Sequence, residues 1–151
     1  MSKETALFRH IIPVQIRFND VDILGHVNNA VHQYYFDYAR MQYFEQVLGK
    51  DLDLKKTALV IVSVKTDFFS PIPIDDNIEV ESRIEMIGNK SITMKQKILS
   101  KKTFDVKSSS WSVLVAYDAN LHHTIPVPEE WKNLIISYEK EIALKYPMAA
   151  N

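Results

Sequence analysis

Residues 15–49, QIRFNDVDILGHVNNAVHQYYFDYARMQYFEQVLG, constrain the fold more than any other stretch. A strand-like piece runs into a polar turn, and the turn runs into a helix-length segment at 30–48. That segment carries Val31, Tyr34, Tyr35, Phe36, Tyr38, Ala39, Met41, Tyr43, Phe44, Val47 and Leu48, too many apolar side chains for one stripe. A helix that is apolar most of the way round is a buried one, so a sheet or a partner chain must wrap it. Asn28 or Asn29 supplies the N-terminal cap, because a short amide oxygen accepts from the first free N–H groups. Gly49 supplies the stop, since glycine readily takes the left-handed conformation that ends helices.

The turn concentrates polar chemistry. Asp20, Asp22, Gly25, His26, Asn28 and Asn29 fall within ten residues. Unpaired amides at the start of a buried helix favour negative charge, such as a developing oxyanion. A carboxylate a few residues upstream can then act on a carbonyl held there. Asp22 is the candidate for that role, with Asp20 as a structural or pKa-tuning neighbour. His26 reads first as a hydrogen-bonded turn residue and second as a general base.

A chain of 151 residues suits one domain, 1–151 with its core at about 10–140, and buries about 70% of its surface. A formal net charge of −1 gives no global field that would attract nucleic acid or an anionic membrane. The lack of cysteine excludes disulfides, thiolate metal sites and a cysteine nucleophile, and fits a reducing compartment. MSKETALFRHII has no basic region followed by a sustained apolar run, and no stretch approaches the roughly 18 apolar residues of a membrane span. A cytoplasmic, soluble domain is the expectation. His122 and His123, with His10 or His32, lack the ligand spacing of a metal site, so no metal is expected.

Periodicity places strands at 10–18, 58–69, 78–87, 91–100 and 104–117, and an amphipathic helix at 129–145. In the third strand Ile78, Val80, Ser82, Ile84 and Met86 share one face, and Glu79, Glu81, Arg83 and Glu85 the other. In the last, Trp111, Val113, Val115 and Tyr117 share a face. Short turns between the later strands imply an antiparallel sheet, hence an α+β architecture. Lys95, Lys97, Lys101, Lys102 and Lys107 read as a solvated basic face.

RFNDVDILGHVNNAVHQYYFDYAR closely resembles the start of the hot-dog-fold thioesterases related to 4-hydroxybenzoyl-CoA thioesterase. The similarity is to the branch with a D-x-x-x-H-V-N-N signature, at Asp22, His26, Val27, Asn28 and Asn29. PIPIDDNIEVESRI resembles the same family's proline-turn-strand segment. The resemblance implies a hot-dog fold: an antiparallel sheet wrapped around a long central helix, with a C-terminal helix. It implies a homodimer with a continuous sheet, two active sites at its interface, and a tetramer as the open alternative. It implies hydrolysis of an acyl-CoA or acyl-carrier-protein thioester without a cofactor. Asp22 aligns with the carboxylate that attacks the thioester or activates water, and the N–H near Asn29 with the amide that polarises the carbonyl. Lys90 aligns with a segment that contacts CoA phosphates, and Asn28 stands beside it as a substrate-binding candidate. The alternatives are an acyl-thioester-binding module without turnover, and an enoyl hydratase or dehydratase using His26.

Overall fold

The computed structural model describes residues 7–50, 52–53, 55–140 and 142–144. The elements run β1 (His10–Val14), α1 (Asn29–Leu48), β2 (Thr57–Phe68), β3 (Ile78–Ile87), β4 (Ser91–Ser100), β5 (Val106–Asp118), β6 (His123–Thr124), α2 (Glu129–Glu139) and β7 (Ala143–Leu144). The main sheet order is β1-β3-β4-β5-β2, antiparallel throughout; β6 extends β5, and β7 joins β3 in parallel.

α1 lies against one face of this sheet. Asn28 caps it, its side-chain oxygen accepting from the Ala30 N–H at 2.9 Å, and Gly49 ends it at φ 103°. Tyr35, Phe36, Ala39, Tyr43, Phe44 and Val47 are buried, a spacing of three and four that makes one stripe. The helix is not buried all round: Tyr34, Tyr38 and Met41 are 68%, 53% and 50% exposed. The sheet covers one side only, and the opposite face stays open in the single chain.

The inner face of the sheet is partly polar. Ser108, Ser110 and Ser112 face inward from β5 and are buried, so Trp111, Val113, Val115 and Tyr117 lie on the outer face. Small side chains there leave room for a helix backbone. Gln96, wholly buried, donates to the Phe36 carbonyl and to Ser82 Oγ and accepts from Arg40, which pairs with Asp37 at 2.6 Å. Both ends of the Gln96 amide are paired, which offsets the cost of burying it, while the Arg40 Nε is left without a partner among the described residues.

Four further expectations are corrected. β1 stops at Val14, and Phe18 sits 84% exposed in a single turn of 3-10 helix, Phe18–Asp20. A register shift between Ile84 and Met86 breaks the alternation of β3, so Ile87 rather than Met86 is the buried residue beyond it. Lys107 is buried beside Asp105, 3.3 Å away, rather than on a solvated face. α2 ends at Glu139, because Lys140 turns left-handed (φ 63°) with its N–H on the Ile136 carbonyl. Ala143–Leu144 is therefore strand, and Lys145, the expected helix end, lies outside the described residues. So do residues 1–6 of the N-terminal segment.

α2 is fastened by Glu139. Its carboxylate accepts from the Tyr43 hydroxyl at 2.6 Å and from the Ile84 N–H at 2.9 Å, where β1 no longer pairs with β3. Removing the carboxylate leaves two buried donors unsatisfied. Glu139→Ala is expected to lose about 2–4 kcal/mol in urea unfolding, and Glu139→Gln clearly less, since its amide oxygen still accepts. A loss below about 0.5 kcal/mol in the alanine variant would remove Glu139 as the fastening.

Candidate active site

The polar turn is held from two sides. Asp20 is buried, and one of its oxygens accepts from the Tyr35 hydroxyl at 2.6 Å and from the Arg17 N–H at 2.9 Å. Its carbonyl accepts the Asn28 N–H at 2.9 Å. Burial, then the Asp20 carboxylate, pushes the Tyr35 phenol far above its ordinary range, so it remains a donor. Asp20 is thereby committed to structure.

Asp22 opens a tight reversal. Its N–H donates to the His26 carbonyl, and its own carbonyl accepts from Gly25, both at 3.0 Å. Gly25 takes φ 79°, a conformation side-chain-bearing residues resist. Asp22 Oδ1 accepts from the Leu24 N–H at 2.9 Å, which orients the carboxylate; Oδ2 has no partner among the described residues. Bridges from Val21 to Val27 and from His26 to Pro73 anchor the reversal to the sheet side.

The first amides of α1 are almost all used. The Asn28 N–H goes to Asp20, Ala30 to the Asn28 side chain, and Val31 to the Asn28 carbonyl at 2.8 Å. Among the described residues, the Asn29 N–H has no partner. Asn29 lines a cavity of about 460 Å³ whose walls also include Asp22, His26, Asn28, His32, Phe68 and Phe69. A residue with an unpaired amide at the positive end of a 20-residue helix, and a residue with an oriented carboxylate, thus line the same space. A larger groove of about 670 Å³ lies beyond Asp20, beside Arg17, Tyr34 and Tyr38, but its only carboxylate is the committed Asp20.

The structure brings together Asp22, His26, Asn28 and Asn29. Lys90 stands apart: it lies in the β3–β4 turn, past Ile87, whereas the cavity lies toward Ile78. A ten-residue strand at about 3.3 Å per residue separates the two ends by ~30 Å. The described residues hold no cluster of three or more histidine or acidic side chains able to bind a metal. No helix among them is long and apolar enough to cross a membrane.

A sequence model of the thioesterase-like superfamily matches residues 16–135, most of the chain, including the turn, α1 and the strands from β2 to β6. The chain belongs to the thioesterase-like superfamily. A thioesterase of Thermus thermophilus, solved with coenzyme A and zinc, matches at a TM-score of 0.76 and 29% identity, over 91% of this chain and 96% of that one. A 1,4-dihydroxy-2-naphthoyl-CoA thioesterase from Synechocystis matches at 0.74 and 17%, over 83% and 94%, a likeness of fold. The uncharacterised YsmA protein of Bacillus subtilis is 27% identical over 81 residues, 54% of either chain, so the match spans about half of that relative's length. The fold is the hot-dog fold of this superfamily, α+β with an antiparallel sheet laid over one long helix.

Sequence reasoning missed His32 as part of this site. It is 2% exposed, lines the cavity, and its Nδ1 lies 2.8 Å from Ser108 Oγ. The available signal was its spacing: three residues after Asn29, it shares that residue's side of the helix. Phe68 and Phe69 were missed as well, because they reach the cavity through pairing of β2 with β5.

Burial lowers the His32 imidazole from 6.5 to about 4. The folded protein therefore binds fewer protons at this ring than the unfolded chain does between those values. The stability it contributes is complete above about pH 6.5 and is lost as pH falls toward 4, about 3 kcal/mol in all. His10, also lowered by burial, acts in the same direction. Urea midpoints from pH 7.5 to 4 are expected to fall less steeply for His32→Asn than for the parent chain. Parallel profiles would show that His32 does not carry this acid sensitivity.

Proposed function

We propose that this protein hydrolyses acyl-CoA thioesters, as a member of the D-x-x-x-H-V-N-N branch. The convergence of the unpaired Asn29 N–H and the Asp22 carboxylate on one cavity carries the reading. Solved relatives act on, or are complexed with, CoA compounds. The thioester oxygen sits on the Asn29 amide, which gains strength as negative charge develops there. Asp22 takes a proton from water as the water oxygen bonds to the carbonyl carbon; collapse then breaks the carbon–sulfur bond. Alternatively, an Asp22 oxygen bonds to that carbon first, thiolate leaves, and water cleaves the resulting anhydride. Thiolate is a good leaving group, so neither route requires a strong acid or a metal.

The working unit in this proposal is a homodimer. β2 is an edge strand, twelve residues long, with Val60, Val62 and Val64 each more than 40% exposed. Such an edge needs a partner, and a second copy can supply an identical one. Antiparallel pairing of two β2 strands lays the Thr57 end of one against the Phe68 end of the other. In each chain the Thr57 end adjoins the β3–β4 turn through β5, whose Ala116 N–H bonds the Lys90 carbonyl at 2.9 Å. The cavity would then meet the partner's Lys90, in reach of a CoA phosphate, although Lys90 is remote within one chain.

Free-thiol release from short, long and aromatic acyl-CoAs, for the parent chain and Asp22→Asn, tests the chemistry. The parent is expected to turn over at least one ester, and Asp22→Asn to lose at least about 10²-fold in kcat. Acyl-CoA binding without release by the parent would favour a non-hydrolytic binding module. Val62→Lys with Val64→Lys is expected to give a folded monomer, seen by light scattering, with most of the activity gone. A fully active monomer would contradict the shared site.

A further inference from the structure

We infer that His32 is a catalytic residue, whose Nε2–H forms, with the Asn29 N–H, a two-donor cradle for the thioester oxygen. This rests on the thioesterase reading of the cavity and adds a second donor to it. Three observations carry it.

The first is position. His32 stands one turn into α1, three residues after Asn29, so the two share a side of the helix. Helical side chains lean toward the N-terminus, which brings the imidazole back over the turn that holds the Asn29 amide. Both residues line the cavity that Asp22 also lines.

The second is how the ring is held. Ser108 Oγ lies 2.8 Å from Nδ1, and the Phe68 ring meets the imidazole edge-on at 5.0 Å between centroids. Two elements of the sheet thus fix the plane of a side chain that grows from the helix. Nε2 has no partner among the described residues, in a side chain only 2% exposed. Unlike both ring nitrogens of His10, Nε2 is not among the fully buried unpaired atoms, so it is reached from outside the protein, and the cavity that His32 lines is where its partner can come from.

The third is which nitrogen holds the proton. Ser108 is wholly buried, and among the described residues its hydroxyl has only Nδ1 as a side-chain partner. The arrangement that satisfies both groups has the hydroxyl donating to Nδ1, which leaves hydrogen on Nε2. His32 is then a neutral donor rather than a base, and burial keeps it so over the working pH range. His26, also at the cavity, has no side-chain hydrogen bond among the described residues to fix its ring.

The test uses the acyl-CoA that the parent chain turns over best, with His32→Asn, His32→Gln, His32→Phe and Ser108→Ala. Asparagine keeps a polar atom near Nδ1 but has none near Nε2; glutamine reaches the Nε2 position; phenylalanine keeps only the shape. Losing one oxyanion donor typically costs 10²–10³-fold in kcat. His32→Asn and His32→Phe are expected to lose about 10²-fold in kcat with KM within about threefold. His32→Gln is expected to keep at least about tenfold more kcat than His32→Asn, and Ser108→Ala, which frees the ring, to fall between. As a readout apart from turnover, the infrared carbonyl stretch of a bound methylene-ketone analogue is expected to move less from its solution value in His32→Asn than in the parent. Thermal melts report folding. Should the phenylalanine variant not fold, the asparagine–glutamine pair and Ser108→Ala decide the matter. Wild-type-like kcat in His32→Asn, or equal losses for asparagine and glutamine, would overturn the inference while leaving thioesterase activity in place. A parent chain that releases no thiol from any ester would overturn both.

Discussion

The hydrogen bond from the Tyr35 hydroxyl to the Asp20 carboxylate, 2.6 Å long, ties the polar turn to the buried face of α1. Asp20 also holds the Arg17 N–H with its side chain and the Asn28 N–H with its carbonyl. Asn28 can cap the helix only from that place, and its cap occupies the Ala30 amide and no other. The Asn29 amide is left over as a consequence of this local accounting. Asp22, two residues beyond Asp20, is carried to the cavity by the same anchor. A turn held by one buried carboxylate thus leaves a second, partly exposed carboxylate free for chemistry.

The inner face of the sheet makes room for this helix. Serines at 108, 110 and 112 and the fully satisfied Gln96 replace the aliphatic side chains that a sheet core usually presents. The apolar packing divides accordingly. One cluster, around Phe36, Ile72, Ile78 and Val80, backs the turn; the other, around Tyr43, Ile84, Leu114 and Ile135, seats α2 at the far end. The polar turn therefore stands on a packed support, which is what the proposed site needs if its donors are to be in place before charge develops.

Much of this was legible in the sequence where the determining contacts are local. The cap at Asn28, the stop at Gly49 and the gathering of Asp22, His26, Asn28 and Asn29 all depend on residues within a few positions of one another. What required the fold was long-range. His32 meets Ser108 across 76 positions, and the KSSSWS stretch gives its buried face to serine while Trp111 points outward. Alternation shows that two faces exist; it does not say which is inward when the inward one is small and polar. The bulge after Ile84 and the left-handed turn at Lys140 likewise interrupt patterns that composition alone would continue.

The roles proposed for Asn29 and Asp22 are tested most directly by a crystal structure with an acyl-CoA analogue whose thioester sulfur is replaced by methylene, so that the carbonyl is kept and cannot be hydrolysed. The carbonyl oxygen is expected about 3 Å from the Asn29 nitrogen, with its carbon turned toward the Asp22 carboxylate. An analogue seated in the groove beside Tyr34 and Tyr38, or with its carbonyl turned away from the start of α1, would contradict those roles.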